Sequence, residues 1–348
     1  MNTDSRQIVQ RALAGECTPR PATGPLAVHY CARLDGVSLR QYTTDARTMA
    51  DCIVRYYERF RPDAVCLSAD TWVTAQAMGA RVGFASDDQP MGGVGEPVVR
   101  TPADVDRIPP PDPGSQGRWP LMIEALERVV ETLRGRAFVV ACFDQYPFSL
   151  ACALMGVQQV MTGIMDDPSL VEALMERCSE YTQAYAVALA AAGADMLSGG
   201  DSPAGLIGPQ LYRQVALPAE QRVIRGIRRH TSAAISLHIC GKATPILADM
   251  ATSGADVLEL DYQVEMRQAC RILGPHITIW GNLDPVGVLA RGSVATVQEA
   301  TRQLVRTMHD CGHRRFVLSS GCTLAIETPP ENLDAMLLTA QESTWTAT

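Results

Sequence analysis

Seven short apolar runs, rich in residues that favour β-strands, recur along the chain, and longer stretches with helical periodicity separate them. The runs are residues 64–70, 137–144, 194–201, 233–240, 256–261, 276–282 and 315–322. Near-continuous apolar strands that alternate with helices are typical of a parallel sheet covered on both faces. The alternation therefore predicts one (β/α)8 barrel, a TIM barrel of the α/β class, rather than two domains.

The eighth strand of such a barrel is not placed by the pattern. Residues 93–100 and a segment nearer the N-terminus are both candidates. We expect residues 1–348 to form a single domain in which residues 1–45 are an N-terminal extension. Apolar residues at intervals of three and four predict a long helix over 167–193. The segment 85–120 is dense in Gly and Pro, which predicts a lid or an insertion near a site.

Composition excludes several classes of protein. Of the 348 residues, 47% are hydrophobic and 20% charged, and no apolar stretch reaches 18 residues, so we expect no membrane span. The first fifteen residues are polar and amphipathic, which predicts a cytoplasmic protein. A net charge of -8 without runs of Lys or Arg argues against nucleic acid as a partner. The eleven cysteines are scattered and contain no CxxC, so we expect reduced thiols or metal ligands rather than disulfides.

Polar side chains stand at the end of every predicted strand. They are Asp70, Asp144, Asp201, His238 with Cys240, Asp261, Asn282 with Asp284, and Cys322. The carboxyl ends of the strands in a parallel barrel form one rim, and catalytic groups come from several strand ends together. We therefore expect these residues to converge. For any single Asp the alternative is a cap on the following helix.

The pair His238 and Cys240 would place an imidazole and a thiolate on one face of a strand. If the rim is shared, Cys322 meets them across the barrel mouth. Two thiolates and one imidazole form a ligand set that Zn²⁺ prefers, and three protein ligands leave a position for substrate. Asp261 is our first choice for a fourth, labile ligand and Glu259 the second. The alternative is that the three residues only pack in the core.

Several segments together resemble the uroporphyrinogen decarboxylase superfamily, and in particular its zinc-containing, corrinoid-dependent methyltransferase branch. They read "AVCLSADTWVTAQAMGARVGF", "FDQYPFSLACALMG", "GADMLSGGDSPAGLIGPQLY", "LHICGKATPIL", "WGNLDPVGVLARGS" and "LSSGCTLAIETPPENLDAM", within residues 45–340. The resemblance implies a TIM barrel in which His238, Cys240 and Cys322 hold zinc. It also implies a small-molecule methyl donor or acceptor. Because the chain has no DxHxxG signature, the corrinoid (cobalamin) should arrive on a partner protein.

The resemblance also suggests roles for further residues. Asp201, in "GGDSPAG", would line the pocket as an acid, a base or a substrate-orienting group. Asp70, Asn282 and Asp284 would do likewise, Asp70 as a catalytic group and the other two at the cofactor, or would only fix loops. Tyr146 and Phe148 would form pocket walls, although buried aromatic residues are more often plain core. A homodimer is compatible with all of these features.

A tetrapyrrole decarboxylase is the main alternative within the superfamily. Asp70 is a plausible counterpart of the catalytic Asp of that enzyme. The chain departs from it at the N-terminus, where "HYCARLDGVSLRQYTTDAR" replaces an Arg-rich segment that reads like "RQAGR". It also reads Gly321-Cys322-Thr323 in place of a Gly-His-Gly turn. A substrate with eight carboxylates needs several well-placed cations, so these departures favour the methyltransferase.

Overall fold

Eight parallel, largely buried strands form the centre of the molecule in the computed structural model, which describes residues 4–83, 91–92 and 96–345. The strands are β1 (Ala22–Thr23), β2 (Ala64–Leu67), β3 (Phe138–Gln145), β4 (Met196–Gly200), β5 (Ala234–Ile239), β6 (Val257–Leu260), β7 (Thr278–Leu283) and β8 (Phe316–Ser320). From β2 onward each strand pairs in parallel with the next, and β8 pairs with β1. The backbone N–H of Asp63 donates to the carbonyl of Thr23 at 3.0 Å, which joins β1 to the chain entering β2. The sheet is therefore a nearly closed TIM barrel, as predicted.

Helices surround the barrel. The α-helices are α1 (Ser5–Ala14), α2 (Val28–Leu34), α3 (Leu39–Thr44), α4 (Ala46–Phe60), α5 (Val73–Ala77), α6 (Pro102–Arg107), α7 (Trp119–Leu133), α8 (Pro147–Met155), α9 (Val157–Asp166), α10 (Pro168–Ala191), α11 (Gly208–Leu211), α12 (Leu217–Arg228), α13 (Leu247–Met250), α14 (Met266–Leu273), α15 (Val294–Asp310) and α16 (Pro330–Glu342). Short 3-10 turns cover Ser202–Leu206 and Thr244–Ile246, and π-helical turns cover Tyr212–Ala216 and Pro285–Ala290.

The eighth strand, which the sequence pattern did not place, is the candidate nearer the N-terminus. Strand β1 lies within residues 1–45, so the segment expected as an N-terminal extension supplies part of the barrel wall. Two residues give too little periodicity for the sequence to reveal this strand. Of the other candidate, 93–100, residues 96–100 form no strand, and 93–95 lie outside the described residues. The helix predicted over 167–193 is confirmed as α10.

The interior of the barrel is filled from its N-terminal end. Helix α1 packs Ile8 and Val9 against inward-facing strand residues, among them Phe138 and Trp280. The indole N–H of Trp280 donates to the carbonyl of Gly24 at 2.9 Å, which fixes the ring across the interior. Because the apolar side chains close this end, the open space of the barrel lies at the C-terminal mouth.

The long Gly- and Pro-rich segment is only partly described. Val82–Gly83 pairs antiparallel with Met91–Gly92, and α6 and the start of α7 lie farther along. The predicted lid role of this segment stays a prediction. Among the described residues, no single helix is long and apolar enough to cross a membrane, and the pair α8 and α9 passes that test only as a broken span bent by 106°.

Candidate metal centre

Three side chains that could bind a metal ion converge at the C-terminal mouth. His238 lies near the end of β5, Cys240 follows that strand, and Cys322 follows β8. Their ligand atoms all lie within 4.8 Å of one another: His238 Nε2 is 2.9 Å from Cys240 Sγ, which is 3.9 Å from Cys322 Sγ. Gly321 permits this approach, since a Cβ there would lie 2.4 Å from the backbone nitrogen of Tyr262. The structure thus brings together the three residues that the sequence singled out.

A backbone contact orients the imidazole of His238. Its Nδ1 donates to the carbonyl of Glu259 on the neighbouring strand β6, at 2.9 Å. The lone pair of Nε2 is then free to face the two sulfurs. A partner on the second ring nitrogen is the usual arrangement for a histidine that binds a metal.

His238, Cys240 and Cys322 shift one another's pKa values through hydrogen bonds and charge. A hydrogen bond with Cys322 lowers the pKa of Cys240 to about 7, and the same bond, with burial, raises the pKa of Cys322 to about 12. Burial alone would lower the pKa of His238, but the hydrogen bond with Cys322 and the charge of that sulfur raise it to about 9. A divalent ion would replace these protons, because thiolates and neutral imidazole are its ligands. The donor set and its spacing therefore fit Zn²⁺.

The two carboxylates considered as a fourth ligand differ in position. Glu259 lines the cavity beside the three ligands, and its Oε1 accepts hydrogen bonds from the hydroxyls of Ser198, at 2.6 Å, and Ser236. The Oδ1 of Asp261 accepts from the backbone N–H of Gln263 at 2.8 Å and so caps its own loop. Asp261 is not among the cavity-lining residues of the described chain. The ligand role of either residue stays a prediction.

A cavity of about 370 Å³ lies directly beside the three ligands. Its lining includes His29 from α2, Cys66 from β2, Gln145 at the end of β3 and Ser198 from β4. This volume is at the lower end of the range of about 300–1,000 Å³ typical of small-molecule pockets.

Asp70 lines this cavity in a buried ion pair. Arg118 reaches it from the residue before α7 and donates Nη1 to Oδ2 at 2.5 Å and Nη2 to Oδ1 at 3.0 Å. The guanidinium also bonds the side chain of Gln76. Sequence reasoning missed Arg118, because a lone Arg within a Gly- and Pro-rich segment carries no signal of what it contacts.

Asp144, to which sequence reasoning gave no specific role, also lines the cavity. Its Oδ2 accepts from the backbone N–H of Thr74 at 2.8 Å and from the hydroxyl of that residue at 2.9 Å, whereas its buried Oδ1 has no hydrogen-bond partner. Burial, and then the charge of Asp70, raise the pKa of Asp144 to about 8. Its backbone φ of 69° lies in the left-handed region, which a non-glycine residue rarely adopts.

Asp201 lies behind the cavity wall rather than in it. It is fully buried, and its Oδ1 accepts from the backbone N–H of Ser149 at 2.7 Å. Burial raises the pKa of Asp201 to about 6 and, with the charge of Asp201, raises the pKa of its neighbour Glu220 well above the ordinary value. Glu220 accepts from the hydroxyl of Tyr212 at 2.6 Å. These two carboxyl groups form a buried, proton-sharing pair.

The four residues predicted to contact a cofactor have contacts within the protein. Asn282 donates to the carbonyls of Asp261 and Val264, and Asp284 accepts from two backbone N–H groups of the following turn. Tyr146 donates its hydroxyl to the carbonyl of Ser236 at 2.8 Å. Phe148 is fully buried. None of the four lines the cavity in the described part of the chain, and their cofactor role stays a prediction.

Comparison with known proteins agrees with this architecture. The family described as Uroporphyrinogen decarboxylase (URO-D) matches residues 4–343. A uroporphyrinogen decarboxylase of Microcystis aeruginosa is 27% identical, with 98% of each chain covered. A methylated-thiol--coenzyme M methyltransferase of Methanosarcina mazei is 26% identical over 98% of this chain and 90% of its own. The solved structure of a methyltransferase from Methanosarcina mazei has a TM-score of 0.88 at 24% identity, covering 98% of this chain and 99% of its own.

The protein is a TIM barrel with a cavity at the C-terminal mouth. This is where TIM-barrel enzymes carry their active sites, with functional groups from several strand ends. The match over nearly its whole length makes the chain a member of the uroporphyrinogen decarboxylase family. The family resemblance drawn from the sequence is thereby confirmed. Its named relatives include both decarboxylases and a methyltransferase.

Proposed function

We propose that this protein is a zinc-dependent methyltransferase that moves a methyl group between a corrinoid, carried by a partner protein, and a small substrate. The observation that supports this most directly is the convergence of His238, Cys240 and Cys322, whose ligand atoms lie within 4.8 Å. The substrate is a thiol or a methyl ether or amine. The similarity to a methyltransferase that acts on a methylated thiol and coenzyme M supports the same class of reaction.

The ligand residues are positioned for this chemistry. Zinc bound by them would lower the pKa of a substrate thiol, or act as a Lewis acid on a leaving heteroatom. The carbonyl of Glu259 holds His238 in the tautomer that presents Nε2. The side chain of Cys240 is exposed at the mouth, so a substrate entering the cavity meets the three ligands from the open side.

The rim offers a surface for the partner. Large apolar side chains are exposed on four of the loops that follow barrel strands: Leu206 after β4, Tyr262 after β6, Val286 after β7 and Ile326 after β8. An exposed apolar rim around a cavity is typical of an interaction site. We propose that the corrinoid protein docks there, which would bring the methyl group to the mouth of the barrel.

The decarboxylase alternative is less well supported. Its substrate class, an eight-carboxylate tetrapyrrole, requires several cations. No Lys or Arg lines the cavity in the described part of the chain, and the nearby Arg118 is engaged with Asp70. Asp70 therefore sits in an ion pair, which does not suit a group that must act on a substrate.

Elemental analysis followed by a methyl-transfer assay tests the proposal. We expect one zinc per purified chain, and we expect the zinc-loaded protein to demethylate methylcobalamin in the presence of small thiols, or to methylate cob(I)alamin from a methyl ether or amine. In the thiol direction the S–CH3 bond forms as the Co–CH3 bond breaks, the electron pair stays on cobalt, and the thiol proton goes to solvent. Full zinc content without transfer to or from any substrate class would contradict the proposal.

A further inference from the structure

The 3-10 turn at Ser202–Leu206, which follows β4, lies directly against the end of β5. The backbone N–H of Asp201, just before the turn, donates to the carbonyl of His238 at 2.8 Å. Gly205 permits a close approach, since a Cβ there would lie 2.9 Å from Cγ2 of Ile239. These contacts fix the turn against the segment that carries two of the three ligand residues.

The hydroxyl of Ser202 makes two contacts with Cys240. Its Oγ accepts a hydrogen bond from the backbone N–H of Cys240 at 3.3 Å, so the hydroxyl proton is left to donate. The sulfur of Cys240 is the acceptor for that proton. Hydrogen bonds, first with Cys322 and then with Ser202, lower the pKa of the Cys240 thiol to about 7 against the effect of burial. Ser202 also lines the cavity beside the three ligands.

The two ligand sulfurs differ in their surroundings. Cys240 is exposed at the mouth, whereas Cys322 is half-buried. The sulfur of Cys322 has its hydrogen bonds with the other two ligand residues, His238 and Cys240. The hydroxyl of Ser202 is therefore found at the more exposed of the two thiols.

Exposure of a thiolate is a hazard in a methyltransferase. A thiolate is a nucleophile, so the sulfur of Cys240 would compete with the substrate for the methyl group. In that side reaction the S–CH3 bond forms as the Co–CH3 bond breaks, and the electron pair stays on cobalt. The product is a thioether, which is not among the ligands that zinc usually takes in proteins. Each such event would damage the metal site.

We propose that Ser202 protects Cys240 from methylation by donating a hydrogen bond to its sulfur, so that the methyl group goes to the substrate instead. This inference rests on the proposed function and adds a positioning residue to it, because Ser202 acts through Cys240. Hydrogen bonds to a ligand atom tune a metal site, and the nucleophilicity of a thiolate falls as its affinity for a proton falls. A hydrogen bond to a charged group is worth about a factor of ten.

Methyl iodide tests the proposal without cobalamin or a partner protein. The sulfur attacks the methyl carbon, the S–CH3 bond forms, and iodide leaves with the electron pair of the C–I bond. Peptide mass spectrometry of the zinc-loaded protein measures the rate of methylation at each cysteine. We expect Ser202→Ala to raise the rate at Cys240 about tenfold, because the hydrogen bond is lost, and to leave the rate at Cys322 unchanged.

Two substitutions serve as controls. Ser202→Thr keeps the hydroxyl and should preserve the slow rate at Cys240, whereas Ser232→Ala, at an exposed serine just before β5, should change no rate. Equal rates at Cys240 in Ser202→Ala and in the unmodified protein, both with full zinc, would overturn the proposal. Rates that rise together at Cys240 and Cys322 would also overturn it, since they indicate a loosened site rather than a lost hydrogen bond.

The unmodified protein decides the question if Ser202→Ala does not fold or does not keep its zinc. Cys240 is the more exposed ligand, so without protection it should be methylated faster than Cys322. With the hydrogen bond in place we expect Cys240 to react no faster than Cys322. A faster reaction at Cys240 would contradict the protective role.

Failure of this inference and failure of the proposed function give different results. The expected pattern with methyl iodide, without methyl transfer in the cobalamin assay, would contradict the methyltransferase and support the contact between Ser202 and Cys240. An active methyltransferase whose Ser202→Ala form keeps Cys240 unmethylated through repeated turnovers with methylcobalamin would support the function and contradict the protective role.

Discussion

The two ends of the barrel use the same residue, aspartate, in opposite ways. At the N-terminal end, Asp63, Asp195 and Asp256 come just before β2, β4 and β6, and each binds an Arg and also accepts a backbone N–H. At the C-terminal end, Asp144 keeps one buried oxygen without a hydrogen-bond partner, and Asp201 lies against a second buried carboxyl group, that of Glu220.

The difference separates stability from function. Fully paired carboxylates lock the strands in register and present nothing to a ligand. Buried carboxyl groups with an unused oxygen and a raised pKa cost stability and are typical of sites that bind or react. The paired aspartates at the N-terminal end stabilise the barrel, whereas the buried carboxyl groups at the C-terminal end lower its stability.

The largest expected effect at the C-terminal end is loss of the metal. In Cys322→Ala we expect the purified protein to lose its zinc, because only the imidazole of His238 and the thiolate of Cys240 would remain, and catalytic zinc sites usually have three protein ligands. Plasma mass spectrometry measures the metal, with Cys17→Ala, a change at an exposed cysteine outside the cluster, as the matched control. Zinc retained at one per chain in Cys322→Ala would show that this sulfur is not a ligand.

The N-terminal end should respond through stability alone. Asp63 is fully buried and holds Arg20 at 2.6 and 2.8 Å, so Asp63→Asn leaves a guanidinium without its partner. We expect a loss of about 3–5 kcal/mol in the free energy of unfolding. In contrast, Arg228→Ala breaks a half-exposed pair with Asp256 and should cost about 0–1 kcal/mol.

Urea unfolding measures both variants of the N-terminal end. Zinc content per folded molecule should stay at the level of the unmodified protein in both. A loss of zinc in Asp63→Asn at temperatures where the protein is folded would break the separation between the two ends.

The last prediction concerns the pH dependence of stability. The pKa of Asp144 is raised from 3.8 to about 8 in the folded chain, so its stabilising contribution is complete below 3.8 and is lost as pH rises through about 8. Relative to Asp144→Asn, the unmodified protein should therefore lose up to about 1.4 kcal/mol per pH unit between these limits and change no further above them. Unfolding both proteins at pH 5, 6.5 and 8.5 checks the sign, and a constant difference would show that Asp144 is ionised throughout.

Much of the fold followed from local pattern. Seven strands and the long helix α10 depend on periodicity, which is local in the chain, and the gathering of polar strand ends at one rim follows from the parallel topology that the alternation predicts. The sequence pattern did not locate the two residues of β1, because a strand that short is defined by its contacts with β8 and with the chain entering β2 and not by its own residues.

The site was predictable only where residue type restricts chemistry. His238, Cys240 and Cys322 stood out because thiolates and imidazoles at strand ends have few structural uses. Asp201 and Asp144 look alike in sequence, as single aspartates at strand ends, yet one is hidden behind the wall and the other faces the cavity. The direction of the backbone at the end of each strand decides whether the side chain faces the cavity, and this direction depends on tertiary packing.

The sequence by itself determined the barrel, the family and which three residues, His238, Cys240 and Cys322, are candidates to bind a metal, since these depend on periodic burial and on residue types with narrow chemistry. Only the tertiary structure decided that Arg118 pairs with Asp70 and that Asp144 keeps one buried oxygen without a hydrogen-bond partner. Electrostatic balance in a buried space depends on distances between residues remote in the chain, and no local pattern records those distances.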